Sequence, residues 1–206
     1  EAGHIMMELK ARKELHNVLI ICPKSLQTKW KGELLEKFGL SFKIYDNPKE
    51  LGMDMNEKPG QVHAIVNYEK IRLKKKSSSK TKEEQGKADS LIEYLTESGR
   101  KFSLVLCDEA HKLRNQGTQT YKGAEILMSL ADAVLFLTAT PVMISTENLY
   151  NLMHLLDNTR FFNYQIFDNL LRQNRPFIDA ITSLNHNEPF NIIKDNLENA
   201  EVTTSF

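Results

Sequence analysis

The chain has 206 residues, 41% hydrophobic and 26% charged, and its 27 Lys+Arg balance its 27 Asp+Glu. Such values are ordinary for a soluble globular domain, and a formal charge of zero excludes a basic field over the whole molecule, so any nucleic-acid contact must come from local clusters. No apolar run approaches the roughly 18 residues that span a bilayer, and Glu1-Ala2-Gly3-His4 has neither the basic start nor the apolar core of a signal peptide; the expectation is a cytoplasmic protein with no membrane partner.

From the first residues, Ala2, Ile5, Met6 and Leu9 recur at helical spacing. A helix entered at once, with no initiator methionine, reads as a chain that begins inside a larger protein. The ending Glu201 to Phe206 has no stop signal and reads the same way. Strand-like runs follow at Val18 to Cys22, Phe42 to Tyr45, Val62 to Asn67, Ser103 to Cys107 and Ala133 to Leu137. Four of the five are near-continuously apolar, the pattern of strands buried on both faces of a parallel sheet. Between them lie helical stripes: Leu26, Trp30 and Leu34; Ala88, Leu91, Ile92 and Leu95; Ala124, Leu127, Met128 and Ala131. Strands alternating with helices predict an α/β fold with a parallel sheet.

The stretch Lys74 to Lys82 is cationic and without apolar residues, and reads as a solvated loop or as one that brushes a phosphate backbone. Beyond Pro141 no strand run occurs. Residues 146–198 read as helices, with Pro176 near a helix start and breaks around Asn158 and Asn185 to Asn187. Cys22 and Cys107 each close an apolar run and read as buried strand cysteines rather than a disulfide or metal ligands.

Four segments carry the chemistry. In Leu104-Val105-Leu106-Cys107-Asp108-Glu109-Ala110-His111 an apolar strand runs directly into two carboxylates, and ligands of a parallel α/β sheet sit outside the carboxyl ends of its strands. Asp108 is placed to hold magnesium through water, and Glu109 to orient and deprotonate a water attacking a γ-phosphate. Leu137-Thr138-Ala139-Thr140-Pro141 ends the next apolar strand, from which Thr138 or Thr140 can hydrogen-bond His111 or Glu109. In Ile20 to Trp30 a strand stops at Pro23, and Ser25 can cap the helix that follows. That helix start and Lys24 offer a seat for a phosphate. Trp30 reads as helix-packing core rather than a base-stacking platform. After the strand Ile65-Val66, Asn67 is either a phosphate donor or a turn-forming asparagine, with Tyr68 beside it.

In this order the segments resemble the first RecA-like lobe of superfamily-two helicases. Asp108-Glu109-Ala110-His111 resembles motif II, the Walker B or DEAH box; Pro23 to Trp30 motif Ia; Asn67-Tyr68 motif Ib; and Thr138-Ala139-Thr140-Pro141 motif III. The forms of motifs Ia and III resemble the Swi/Snf branch, and Glu1-Ala2-Gly3, Lys37 to Phe42 and Asn148 to Asp179 are similar to its bacterial RapA-like group.

The resemblance implies a RecA-like parallel sheet flanked by helices, with residues 1–145 a partial ATP-binding lobe and 146–206 a helical extension. It implies ATP and Mg2+ as cofactors, double-stranded DNA as partner, and RNA polymerase or another DNA-bound complex as a further target on the nucleoid. By the same resemblance Asp108, Glu109 and His111 are catalytic, Thr138 and Thr140 couple the site to DNA, and Lys24, Ser25, Asn67 and Tyr68 lie toward the DNA path. The family's G-x-x-x-x-G-K-[ST] phosphate loop is not in this sequence, and Glu1-Ala2-Gly3 resembles its downstream edge. The competing readings are a strand-separating helicase or restriction-type motor, and a nucleotide-independent DNA- or polymerase-binding module.

Overall fold

The computed structural model describes residues 1–73, 91–139, 145–186 and 189–203. Two compact units are present, Glu1–Leu156 and Asp157–Phe206. The cationic stretch 74–82, Ala88 and Thr140-Pro141 lie outside the described residues.

The first unit is built on a five-stranded sheet in the order β2-β3-β1-β4-β5, with β1 Val18–Cys22, β2 Lys43–Ile44, β3 His63–Asn67, β4 Leu104–Asp108 and β5 Val134–Leu137. Every pairing is parallel. All five strand-like runs of the sequence are therefore strands. The apolar continuity of β1, β3 and β4 follows from burial on both faces. Leu19, Ile21, Val66, Val105 and Cys107 point into one core cluster, while Val18, Ile20, Cys22, Ile65, Leu104 and Leu106 point into the other, the period of two expected of a pleated strand. The first cluster is closed by helices α3 Pro48–Glu57, α4 Leu91–Ser98, α5 Gln119–Ser129 and α6 Thr146–Leu156, and the second by α1 Ala2–Ala11 and α2 Gln27–Phe38.

Local chemistry sets the ends of these elements. Asn47 caps α3 by accepting the Lys49 N–H, with Pro48 at the first helical position, where proline's missing donor costs nothing. Thr118 caps α5 by accepting the Tyr121 N–H. Gly39 stops α2 at φ +62°, and the Gly39 and Leu40 N–H groups return to the Leu35 and Leu34 carbonyls, a glycine-dependent helix stop. At the amino ends of the strands Asn17 is a buried staple: its amide donates to the Lys101 carbonyl and its Oδ1 accepts the Val62 N–H.

Three readings are corrected. Ser25 is not a cap. It sits within a 3-10 turn, Lys24–Leu26, that runs straight into α2. Leu26 holds the N-cap position in a helical conformation with no side-chain cap bond. Pro176 is not near a helix start; it lies inside α7, Tyr164–Asn185. The breaks near Asn158 and Asn185 do match the end of α6 at Leu156 and of α7 at Asn185. Finally, α6 packs within the first unit rather than belonging to the helical extension. Leu152 and Leu155 join the first cluster, Tyr121 donates to the Asn151 carbonyl, and Asn151 donates to the Arg114 carbonyl. The second unit is made of α7 and α8 Phe190–Thr203, which pack on each other. Among the described residues no helix is long and apolar enough to cross a membrane.

Candidate nucleotide-hydrolysis site

Because all strands are parallel, the carboxyl ends of β1, β3, β4 and β5 share one sheet edge. The register pairs Cys22 with Asn67, Ile21 with Cys107, and Asp108 with Leu137. The four sequence segments thus emerge side by side, although residues as far apart as 22 and 138 supply them.

Asp108 is the last residue of β4 and is partly exposed. One carboxylate oxygen, Oδ1, accepts the Glu109 N–H at 3.0 Å. The other, Oδ2, accepts the Trp30 indole N–H at 2.7 Å. The Asp108 backbone carbonyl accepts the Tyr68 hydroxyl at 2.7 Å. The chain then bends sharply. Glu109 takes a left-handed conformation, φ 56° and ψ 48°, before a 3-10 turn over Ala110–Leu113. Among the described residues only Lys13 shares this non-glycine positive φ. A β-carbon in that region costs about 1–2 kcal/mol, and such strain collects at functional sites. The bend aims Glu109 back beside the strand end. Glu109 Oε2 lies 3.1 Å from His111 Nδ1, and Thr138 Oγ1 lies 3.4 Å from the same nitrogen. With Nδ1 protonated, the shorter contact is an N–H donated to the carboxylate, and the Thr138 oxygen shares that hydrogen at longer range. The imidazole therefore bridges the ends of β4 and β5.

Lys24 and Ser25 are exposed on the 3-10 turn after β1. Asn67 and Tyr68 turn inward instead. Asn67 is 5% exposed and its Oδ1 accepts the Glu69 N–H, the local turn that suits asparagine. Tyr68 is 9% exposed; burial pushes its phenol well above the usual range, so the hydroxyl stays a donor to Asp108. Thr140 lies outside the described residues. Burial pushes the Cys22 thiol up to about 12, with the Asp108 charge acting in the same direction, and burial raises Cys107 too. Both are free and buried cysteines and take no part in the site.

Sequence reasoning missed the two supports of Asp108. Trp30 is separated from it by 78 positions and Tyr68 by 40, and no local pattern links them. The available signal was composition: an indole and a phenol each bring a polar group that needs a partner when buried.

Acidic acceptors, a histidine bridging two strand ends and an exposed basic turn thus stand together at the carboxyl edge of a doubly covered parallel sheet, where ligands of such folds bind. The family model described as SNF2-related domain matches residues 3–195, and the chain belongs to that family, the Swi/Snf type. It is 30% identical over 200 residues to the RNA polymerase-associated protein RapA of Actinobacillus pleuropneumoniae serotype 3 (strain JL03), covering 92% of this chain and 19% of that protein. It is also 30% identical over 208 residues to RapA of Pasteurella multocida (strain Pm70), covering 95% of this chain and 20% of the relative. The chain thus spans about a fifth of the curated relatives it matches. Among solved structures, the Sulfolobus solfataricus SWI2/SNF2 ATPase core in complex with dsDNA superposes with a TM-score of 0.57 at 18% identity, over 95% of this chain and 34% of that one. That likeness establishes the RecA-like fold.

Proposed function

We propose that this chain is the first motor lobe of an ATP-driven translocase on double-stranded DNA, with RNA polymerase or another DNA-bound complex as its target. The observation that carries the reading is the joint of Asp108, Glu109, His111 and Thr138 at one sheet edge. Membership of the SNF2-related family supports ATP hydrolysis in the whole protein. The RNA polymerase-associated relatives support a polymerase-bound target, and the Sulfolobus solfataricus core in complex with dsDNA supports the duplex.

The residues fit a hydrated magnesium ion. Asp108 is an acceptor-only carboxylate whose oxygens each hold one N–H, leaving lone pairs for metal-bound water, the ligand magnesium keeps most readily. When bound, the ion neutralises charge developing on the transferred phosphoryl group. Glu109 acts on the attacking water, orienting it and accepting its proton. His111 holds that carboxylate in place by binding Oε2, and through Thr138 ties it to β5, the route by which the site answers to events elsewhere on the lobe. Lys24 and Ser25 meet the phosphate backbone of DNA. Asn67 and Tyr68, buried and engaged, support the site from within.

The test is Glu109→Gln in the full protein. The substitution keeps shape and removes the base, so duplex-stimulated ATP turnover should fall by about 10²–10⁴-fold, with nucleotide binding retained. Turnover within a factor of two of the unmutated protein overturns the assignment.

A further inference from the structure

Trp30 lies on α2, beyond the exposed turn, and packs against the second core cluster. Trp30 is only half-buried, so water could satisfy its N–H without a partner on another element. Yet its indole N–H reaches Asp108 Oδ2 at 2.7 Å, within the short range of charge-assisted bonds. The bond forms one wall of a cleft of about 160 Å³ lined by Leu26, Lys29, Trp30, Glu33 and Asp108. Asp108 keeps partial exposure toward solvent, so its carboxylate is gripped but not closed off. Oδ1 is fixed by the neighbouring Glu109 N–H and the backbone carbonyl by Tyr68. The side chain therefore has both oxygens oriented by N–H donors, and the Trp30 bond is the one donated from outside β4 and its own turn.

We propose that Trp30 is a positioning residue for the metal-holding carboxylate: its indole N–H fixes the rotamer of Asp108 so that the remaining lone pairs present a preset face to hydrated magnesium. The inference rests on the reading of Asp108 as that carboxylate. Donors that hold a metal-binding group from behind typically contribute 10–100-fold to metal affinity. A rigid ring suits the task better than a lysine, which would add a positive charge competing with the ion.

The test is Mn2+ binding to the full protein with a non-hydrolysable ATP analogue, read by electron paramagnetic resonance, for Trp30→Phe and Asp108→Asn. Phenylalanine keeps an aromatic ring and deletes the donor. The expected result is a 10–100-fold loss of Mn2+ affinity in Trp30→Phe, with the metal concentration for half-maximal ATPase raised and kcat at saturating metal largely recovered. A packing role alone would lower the melting temperature and leave Mn2+ affinity within twofold, and that result overturns the proposal. If Asp108→Asn loses Mn2+ while Trp30→Phe does not, the Trp30 inference alone fails. If Asp108→Asn binds Mn2+ as well as the unmutated protein, the metal reading fails and takes the inference with it. Should Trp30→Phe not fold, the indole N–H resonance of Trp30 in the unmutated full protein, assigned by site-selective labelling, serves instead. It should move on Asp108→Asn substitution and on saturation with Mg2+ and analogue, and a resonance indifferent to both overturns the proposal.

Discussion

Glycine shows how one residue type carries opposite consequences. Gly123 faces the core side of α5, where a β-carbon would collide with the backbone carbonyl oxygen of Ile71. A backbone atom cannot swing aside as a side-chain tip can. Gly32, in α2, has nothing within 4 Å of the same built atom. Ala is the better helix former by about 1 kcal/mol, so Gly32→Ala should stabilise the chain by roughly that amount. Gly123→Ala gains the same propensity but overpacks, a change that typically costs about 1–3 kcal/mol, and should be destabilising on balance. Paired urea melts measure both, and equal signs would contradict the packing seen around Ile71. Glu109 belongs to the same scale. Its left-handed backbone brings a carboxylate within 3.1 Å of His111, a place that an extended continuation of β4 would not reach.

Among the elements, α7 is the one that breaks a local rule. Proline inside a helix loses a donor and crowds the carbonyl four residues back, at a cost of about 3 kcal/mol. Even so, α7 runs through Pro176 from Tyr164 to Asn185, packed along α8. Helix pairing therefore outweighs the local penalty, the usual way tertiary contact overrides propensity. Pro176→Ala returns an N–H for the Arg172 carbonyl, and it should raise the stability of the second unit by about 1–3 kcal/mol. A lower midpoint in thermal melts of that unit would show instead that the pyrrolidine ring is needed in the packing. The strands pose the opposite case. β1 and β4 obey their local pattern because they are buried on both faces, so every position of β1, and of β4 as far as Cys107, is held to the same apolar requirement.

For the whole molecule, charge is the property that shapes function. With Lys+Arg and Asp+Glu equal, this chain carries no long-range basic field, and on the proposed reading its affinity for DNA has to come from a few local cations. Lys24 stands exposed on the turn before α2, on the same sheet edge as Asp108. If it meets a phosphate, Lys24→Ala should weaken duplex binding alike for unrelated sequences and reduce the salt dependence by about one counterion. Binding isotherms at several salt concentrations decide it. A loss confined to one sequence, or an unchanged slope, would mean that Lys24 contacts no backbone phosphate.

The amino-acid sequence by itself determined where β1, β3 and β4 lie, since a strand covered on both faces must be almost wholly apolar, and it placed Asp108, Glu109, His111 and Thr138 at strand ends. Tertiary structure alone decided which of the remaining polar residues face the site and which face inward. Asn67 and Tyr68 follow a strand just as Lys24 and Ser25 do, yet the first pair is buried and bonded while the second is exposed. Trp30 meets Asp108 because β1 pairs directly with β4 and α2 returns across that pair. Periodicity reports the face a residue presents within its own element. Which side chains meet across 78 positions depends on strand order and register, which the pairing of the folded sheet sets.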